Sequence, residues 1–246
     1  MAGRHSDAIK SVRDVLSWQL KALPEDHARV ARTRLLLLTE LSNSTADKKV
    51  AEQLEREIEP LRERYGETSM MVAIARSIHA NTLRQIGEPA ASAAEFEKAL
   101  PIIRRALGED HVLVSRNKLN YAAALQAEGS QASLRIAVPL LENVYATTRR
   151  LYPRLSPIAL HAQSQLSTSL MQLGDWKRGA TLLADPTYAD AHSISSRGNL
   201  RNQLLALEMA LGGPVCNDED AEQEETCARE PLIYSPPVAR IRTPTA

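Results

Sequence analysis

The feature that most constrains the fold of this chain is a sequence repeat with a period of 42 residues. The segment Pro24-Glu-Asp-His27 returns 84 residues later as Gly108-Glu-Asp-His111, and Gly66-Glu-Thr-Ser69 lies halfway between the two. A fourth and more divergent copy begins at Pro153, 45 residues after the third. Self-similarity at such a period is typical of arrays in which one supersecondary unit stacks on the next. The chain is therefore expected to form a repeat array.

The last position of this four-residue motif is a helix-start position. It is occupied in turn by His27, Ser69, His111 and Ser156, and Pro157 follows Ser156 directly. Serine is a preferred N-cap residue, and proline is preferred at the first position of a helix. We therefore predict that the two histidines leave a turn and begin a helix, and that the two Glu-Asp-His triplets are one structural device used twice rather than halves of a catalytic site.

Composition and a second set of positions indicate that each repeat is a pair of helices. Aromatic residues make up only 4% of the chain, whereas residues that favour helices are abundant, so we expect few or no strands. Small residues at one position and bulky residues four positions later allow two antiparallel helices to interlock at close range. Glycine suits the turns because it tolerates positive φ. The small positions are Val50, Ser92, Ala137 and Gly179, the bulky ones are Leu54, Phe96, Leu141 and Leu183, and the turn positions are Gly3, Thr45, Gly87, Gly129 and Gly174.

Two segments resemble the tetratricopeptide repeat: Leu170-x3-Gly-Asp-Trp-x2-Gly179, and the stretch from Gly87 to Ala99 that contains Phe96. With its 42-residue period and its Leu-Gly-Glu-Asp-His link, the array resembles the longer variant of that repeat found in kinesin light chains and many bacterial proteins. The resemblance extends from residue 3 to about residue 190. It implies an all-α fold, namely a right-handed α-solenoid of antiparallel helix hairpins that forms a tetratricopeptide-like superhelix.

Individual repeats depart from the family pattern at a few positions. His79 and Tyr121 stand where the family prefers an apolar residue, and Pro60, Pro101 and Pro139 fall inside expected second helices. An interior proline removes a backbone hydrogen bond and kinks a helix. We therefore predict bends at the three prolines.

The repeat boundaries divide the chain into an array at residues 1–211 and a tail at residues 212–246. The tail is acidic and proline-rich, with seven acids and three bases from residue 214 onward, and this composition predicts disorder. Within the array we expect a half repeat at residues 3–23, four repeats at about 24–65, 66–107, 108–152 and 153–187, and a capping helix at about 192–211.

A solenoid of this kind offers a long concave surface lined by the first helices of its hairpins. By the family resemblance, the inward-facing positions carry three arginines and no acid. Arginine binds carboxylates with a planar fork, and Asn or Gln can hold the backbone of an extended peptide. We therefore predict that the groove binds an extended, acidic peptide segment of a protein partner, the alternative being an ordinary solvated helix face. The predicted groove residues are Arg32, Thr39, Asn43, Ser77, Asn81, Arg84, Gln85, Arg116, Gln126, His161, Thr168 and Gln172, and Leu35, Leu119 and Ser164 are also expected to face inward.

The N-terminal segment matches the turn and second helix of a repeat whose first helix is missing. Such a helix presents an apolar stripe to a partner helix that this chain does not encode, and burial of about 300 Å² of that stripe is worth on the order of 7 kcal/mol. We expect a second copy of the chain, or a domain encoded upstream, to cover part of it. The stripe consists of Ala8, Val12, Val15, Leu16 and Leu20.

The sequence carries no motif typical of an active site. It has no glycine-rich phosphate loop, His-Glu-x-x-His helix, paired Cys-x-x-Cys or nucleophile elbow. We therefore expect no enzymatic activity, cofactor or metal site. The main alternative to an interaction module is the C-terminal regulatory region of a longer signalling enzyme, for example a bacterial serine/threonine protein kinase, whose catalytic domain lies upstream.

The bulk charge and the termini restrict the partners and the compartment. The net charge is zero, so nothing indicates nucleic acid or an anionic membrane surface as a partner. There is no apolar run of about 18 residues and no apolar segment of a signal peptide, so we expect a cytoplasmic protein. In that compartment Cys216 and Cys227 are free thiols, whereas an oxidising one would allow a disulfide between them.

Overall fold

A computed structural model describes residues 2–45, 47–152 and 156–183 of the chain. These described residues form nine α-helices and no strand. The helices are α1 (Ala2–Ala22), α2 (Ala28–Ser44), α3 (Lys48–Tyr65), α4 (Met70–Gln85), α5 (Pro89–Leu107), α6 (Val112–Glu128), α7 (Gln131–Leu151), α8 (Pro157–Gln172) and α9 (Trp176–Leu183).

The helices pack as a stack of hairpins. Short turns join α2 to α3, α4 to α5, α6 to α7 and α8 to α9, and the two helices of each pair contact one another. The second helix of each hairpin also packs on the first helix of the next one, and α1 packs on α2 in the same way. The first helices α2, α4, α6 and α8 contact their neighbours in sequence, so they share one continuous face. The all-α solenoid of hairpins that the repeat predicts is therefore confirmed.

The helix starts confirm the role assigned to the two histidines. The ring nitrogen Nδ1 of His27 accepts the backbone N–H two residues ahead at 3.1 Å, and His111 makes the same bond at 3.1 Å. Ser69, at the equivalent position, accepts a backbone N–H three residues ahead at 3.3 Å. Ser156 makes no such bond, but it precedes a proline at the first position of α8. Each histidine thus satisfies a backbone donor that a helix start leaves unpaired.

The glutamate of the motif binds a cation on the following helix in three successive repeats. The cation always lies nine residues after the glutamate, on the helix that the motif precedes. In the second and third repeats the cation has a further partner on the paired second helix: Glu95 binds Arg76 at 2.9 Å, and Asn143 binds Lys118 at 2.6 Å. The glutamate therefore holds the link against the hairpin that follows it. The three pairs are Glu25–Arg34 (2.7 Å), Glu67–Arg76 (2.8 Å) and Glu109–Lys118.

The aspartate of the motif makes a different contact. Asp26 binds Arg64 at the end of α3, and Asp110 binds Arg150 at the end of α7 at 2.5 Å. Glutamate, aspartate and histidine of each triplet therefore have separate structural roles, and these roles are the same in both copies. The prediction that the triplet is one device used twice is confirmed.

The positions of small and bulky residues form the packed interior of the hairpins. Leu54, Phe96 and Leu141 are fully buried, and Ser92 donates a hydrogen bond to the carbonyl oxygen of Ala80 at 2.7 Å. Such a bond requires the backbones of α4 and α5 to approach closely, which a small side chain permits. In the last hairpin Gly179 has the same function, because a Cβ added there would lie 2.8 Å from Cγ of Met171 and 3.1 Å from the carbonyl oxygen of Ser167. Leu183, the bulky residue of the last hairpin, is only half-buried.

Most of the predicted turns occur where the glycines stand. Gly87, Gly129 and Gly174 have φ values of 85°, 76° and 87°, in the left-handed region that glycine enters without strain. Thr45 ends α2 in an extended conformation instead. The prediction for Gly3 is wrong, because α1 begins at Ala2 and Gly3 lies inside the helix.

The three interior prolines do not end their helices. Pro60, Pro101 and Pro139 lie within α3, α5 and α7, each of which continues for more than one turn beyond its proline. Each proline lies on the exposed side of its helix. The predicted bends at these positions stay a prediction.

Several expectations concern parts of the chain outside the described residues. These are Pro153, the segment 184–187 of the last predicted repeat, the capping helix at about 192–211, the acidic tail at 212–246, and the state of Cys216 and Cys227.

Candidate binding groove

The shared face of the first helices contains a cleft of about 450 Å³ between α2, α4 and α6. The helices contribute side chains at the regular spacing that places them on one face. The cleft therefore lies on the face of the first helices, where the repeat pattern predicts a groove. Its lining residues are Thr39, Asn43, Met70, Ile74, Ser77, Ile78, Asn81, Arg84, Gln85, Ile103, Leu113, Arg116, Asn117 and Asn120.

The structure brings together part of the predicted groove. Seven of the twelve predicted residues line the cleft, and the other five do not. The binding role of all twelve stays a prediction. Those in the cleft are Thr39, Asn43, Ser77, Asn81, Arg84, Gln85 and Arg116, and those outside it are Arg32, Gln126, His161, Thr168 and Gln172.

Two positions expected to face inward belong to the hydrophobic core instead. Leu35 and Leu119 are buried, each in one of the two core clusters. They lie on the side of the first helix that packs against other helices, as expected for the apolar residues of an amphipathic helix. Neither leucine therefore lines the cleft.

The cleft has an apolar lining that sequence reasoning missed. Ile74 is 37% exposed in the second turn of α4, and Met70, Ile78 and Leu113 line the cleft beside it. A signal for this was present in the repeat, because Ile74 occupies the same position as Arg32 and Arg116 in the neighbouring repeats. A contiguous exposed apolar area rimmed by polar groups is typical of a binding surface.

The charged groups of the cleft are all cationic. Among the described residues that line it there are two arginines and no acid. Arg84 is half-buried, its Nε is buried without a hydrogen-bond partner, and neither it nor Arg116 lies within 4.0 Å of a carboxylate of the described residues. A buried N–H of a cation without a partner is costly, so an anionic group that fills the cleft is favoured there.

Three amide side chains of the cleft are also free to bind a ligand. Asn43, Asn81 and Asn120 make no side-chain hydrogen bond to any other described residue. In contrast, the hydroxyl groups of Ser77 and Thr39 donate to carbonyl oxygens of their own helices, at 2.9 Å and 2.7 Å. Amides can donate to a peptide carbonyl and accept from a peptide N–H, so these three are suited to the backbone of an extended chain.

Beyond the cleft, Gln126 and His161 belong to a polar cluster that ties α6 to α8. The amide of Gln126 donates to the carbonyl oxygen of Gln165 and to Oγ of Ser169, both at 2.8 Å. The side chain of Gln165 lies 2.9 Å from Nε2 of His161. Burial and the positive charge of Arg84 lower the pKa of His161, which favours its neutral form. The cationic character of this face therefore comes from the arginines.

The described residues contain neither a candidate metal site nor a candidate membrane span. Within residues 2–45, 47–152 and 156–183, no three His, Cys, Asp or Glu side chains lie close enough together to hold a metal ion. None of the helices in this part of the chain is both long and apolar enough to cross a membrane.

Comparison with known proteins gives similarity at the level of the fold. No family model and no curated protein matches the sequence. The chain is similar in structure to a protein from Podosopora anserina described as a putative kinesin light chain with nearly identical TPR-like repeats, with 20% identity, a TM-score of 0.60 and coverage of 74% of this chain and 84% of that one. A point variant of that protein gives 20% identity, a TM-score of 0.62 and coverage of 76% and 86%. BtubC (BKLC) from P. vanneervenii gives 17% identity, a TM-score of 0.64 and coverage of 78% and 76%. The resemblance to tetratricopeptide-like repeats is therefore confirmed for the fold.

Proposed function

We propose that this chain is a protein-interaction module that binds an extended, acidic peptide segment of a partner protein in the cleft between α2, α4 and α6. The observation that supports this most strongly is the charge of the cleft, where Arg84 and Arg116 lack carboxylate partners among the described residues and no acid lines the wall. A ligand that supplies carboxylates at these two positions forms charge-assisted hydrogen bonds with both guanidinium groups.

The rest of the cleft restricts the ligand further. The free amides of Asn43, Asn81 and Asn120 pair with the backbone of an extended segment, whose own N–H and C=O groups need partners once water is excluded. The apolar area around Ile74 then favours a segment in which an apolar side chain stands between the acids. Peptides with acids alone are expected to bind more weakly.

The experiment is a selection from a display library of random peptides against the full 246-residue chain, followed by affinity measurements on the selected peptides. We expect enrichment of Asp and Glu around an apolar residue. Replacing Arg84 or Arg116 by Ala removes a charge-assisted contact and weakens binding of the selected peptides by about 10-fold to 100-fold each. The affinity also falls as salt is raised.

Matched controls come from arginines outside the cleft. Arg105 and Arg135 are exposed, and among the described residues neither has a carboxylate within 4.0 Å, so their alanine variants lose the same bulk charge. Arg32→Ala tests whether the binding surface extends along α2 beyond the cleft. Selected peptides without acids, or equal losses in the Arg84 and Arg105 variants, would show that the face is ordinary solvated surface and would overturn the proposal.

The alternative function, the C-terminal regulatory region of a longer signalling enzyme, makes the same use of the groove but requires a catalytic domain upstream. The coding sequence upstream of Met1 distinguishes the two. In either case we propose a protein or peptide partner, no nucleic acid or membrane partner, no enzymatic role for the chain itself and a cytoplasmic location. Outside the groove, the exposed side of α1 is open to a second copy or to an upstream domain.

A further inference from the structure

The strongest observation outside the groove is a regularly spaced seam along α1. Ala8, Ser11, Val15, Trp18 and Ala22 follow one another at intervals of three and four residues, the spacing at which helices pack side by side. Val15 is 48% exposed and Trp18 is 66% exposed. The side of α1 that packs on α2 is a different one, where Ile9, Val12 and Leu16 are half-buried. The prediction that Val12 and Leu16 belong to the open stripe is therefore wrong, because α2 covers that side of the helix.

The other repeats show what this seam is built to contact. In α5 the residues equivalent to Ala8 and Val15 are Ser92 and Ala99, and both are fully buried. Ser92 donates its hydrogen bond to Ala80 of α4, so the seam of a second helix is the side that faces its antiparallel hairpin partner. Val15 and Trp18 remain exposed, so no described helix covers this part of the seam. A helix running antiparallel to α1 would restore the geometry of the other hairpins.

We infer that the partner of this seam is α1 of a second copy of the chain, packed antiparallel across a two-fold axis. The small residues Ala8 and Ser11 lie in the first half of the seam, and the large residues Val15 and Trp18 lie in the second half. Reversal of one helix therefore places Trp18 on Ala8 of the second copy and Val15 on Ser11 of the second copy. A two-fold axis repeats both contacts, so the surface is complementary to itself.

The charges beside the seam fit the same alignment. Asp7 and Lys21 flank the seam at its opposite ends, both are exposed, and neither forms an ion pair with another described residue. When Trp18 lies on Ala8 of the second copy, Asp7 lies beside Lys21 of the second copy, and the axis creates two such pairs. At the axis, Asp14 lies close to Asp14 of the second copy. Lys10 lies one helical turn from Asp14 on the same helix. The two apolar contacts of the seam and the Asp7–Lys21 pair are thus compatible with the same alignment.

The size of the seam predicts a weak dimer. One fully buried tryptophan contributes about 250 Å², and the whole seam buries about 400 Å² per chain, roughly half of a standard interface. An interface of this size is typical of weak, transient association, so we expect dissociation at micromolar concentrations. This inference concerns a surface distinct from the groove and does not depend on the proposed peptide binding.

Sedimentation equilibrium of the full chain from about 5 to about 500 μM tests the dimer, since this range spans the affinity of a weak interface. We expect a monomer–dimer equilibrium, and Trp18→Glu should raise the dissociation constant by at least about 30-fold. Ile136→Glu is the matched control, because Ile136 is also an exposed apolar residue, 48% exposed on α7. Helix content by circular dichroism verifies that each variant is folded.

Charge reversal tests the alignment. Asp7→Lys and Lys21→Asp should each weaken the dimer by about 3-fold to 10-fold, and the double variant should return to within about 2-fold of the original. In a Trp176→Phe background, the emission of Trp18 should also shift to shorter wavelength as the concentration rises. A monomer at the highest concentration, or a dimer that is insensitive to Trp18 and to both charge reversals, overturns the inference.

Discussion

The repeated pair of a glutamate and a cation allows one substitution to be compared at three equivalent sites. Glu→Gln keeps the shape and an acceptor oxygen but removes the charge that faces the cation. The side chains of Arg34, Arg76 and Lys118 are 28%, 10% and 4% exposed, so the penalty for leaving the cation without a charged partner should rise in this order. Burial of the cation and the partners that it keeps, rather than the sequence of the motif, set the expected costs.

The magnitudes follow from exposure and from the partners that remain. Glu25→Gln should cost less than about 0.5 kcal/mol, because both groups of that pair are in contact with water. Glu67→Gln should cost about 1 kcal/mol, because Arg76 keeps its bond to Glu95 at 2.9 Å. Glu109→Gln should cost about 2 kcal/mol, because the ammonium of Lys118 keeps only the neutral Asn143 as a strong partner.

Urea unfolding followed by circular dichroism measures the three losses in free energy of unfolding. The unfolding curves are fitted with a model in which each repeat has its own stability and a coupling to its neighbours. Lys118→Met in the Glu109→Gln background supplies the control, because an apolar side chain without a charge should recover most of the loss. Equal costs at the three sites, or the largest cost at Glu25, would refute the explanation by burial.

Three further predictions concern single positions. His79 is buried, and burial lowers its pKa. Below a pH of about 6.5 the unfolded chain therefore takes up a proton that the folded chain does not, and thermal stability should fall from there down to the lowered pKa. The variant His79→Leu should remove this part of the pH dependence of Tm. His111→Ala should lower the free energy of unfolding by about 1 kcal/mol through loss of the N-cap, whereas His111→Ser should retain most of it; equal losses would show that the cap is unimportant. Gly179→Ala should destabilise the last hairpin by about 1 kcal/mol despite the better helix propensity of alanine, because its Cβ meets Met171 and a backbone carbonyl, and hydrogen exchange in α8 measures the effect.

The fold could be predicted from the sequence because it is periodic. A residue such as His111 is ambiguous by itself, but its alignment with Ser69 and Ser156 identifies it as a helix start. In the structure its ring nitrogen accepts a backbone N–H at the start of α6. The prediction for Gly3 failed for a related reason. Its position was inferred from the spacing alone, without a preceding helix in the sequence to end at that glycine, and α1 includes it.

The groove was less predictable, because the spacing of residues predicts which helix face they share but not which side chains contact one another. His161 and Gln126 lie on the expected face, yet the structure engages both in a polar cluster between α6 and α8. The apolar lining was not predicted, because the pattern assigned Leu35 and Leu119 but not Ile74 to the inner face, although Ile74 stands at the same position as Arg116. Which side chains share a cleft depends on how adjacent hairpins rotate against one another, and the local pattern does not contain that angle.

The structure separates the cations that stabilise the array from those that are available to a partner. Arg76 and Lys118 are buried and bind the glutamates of the link motif, whereas Arg84 and Arg116 face the cleft without a carboxylate among the described residues. A cation that folding leaves unpaired contributes little to stability, so its removal should change Tm much less than the loss of Lys118 does. Loss of peptide binding in the Arg84 and Arg116 variants can therefore be attributed to the groove itself, since the fold that shapes the groove does not depend on these two side chains.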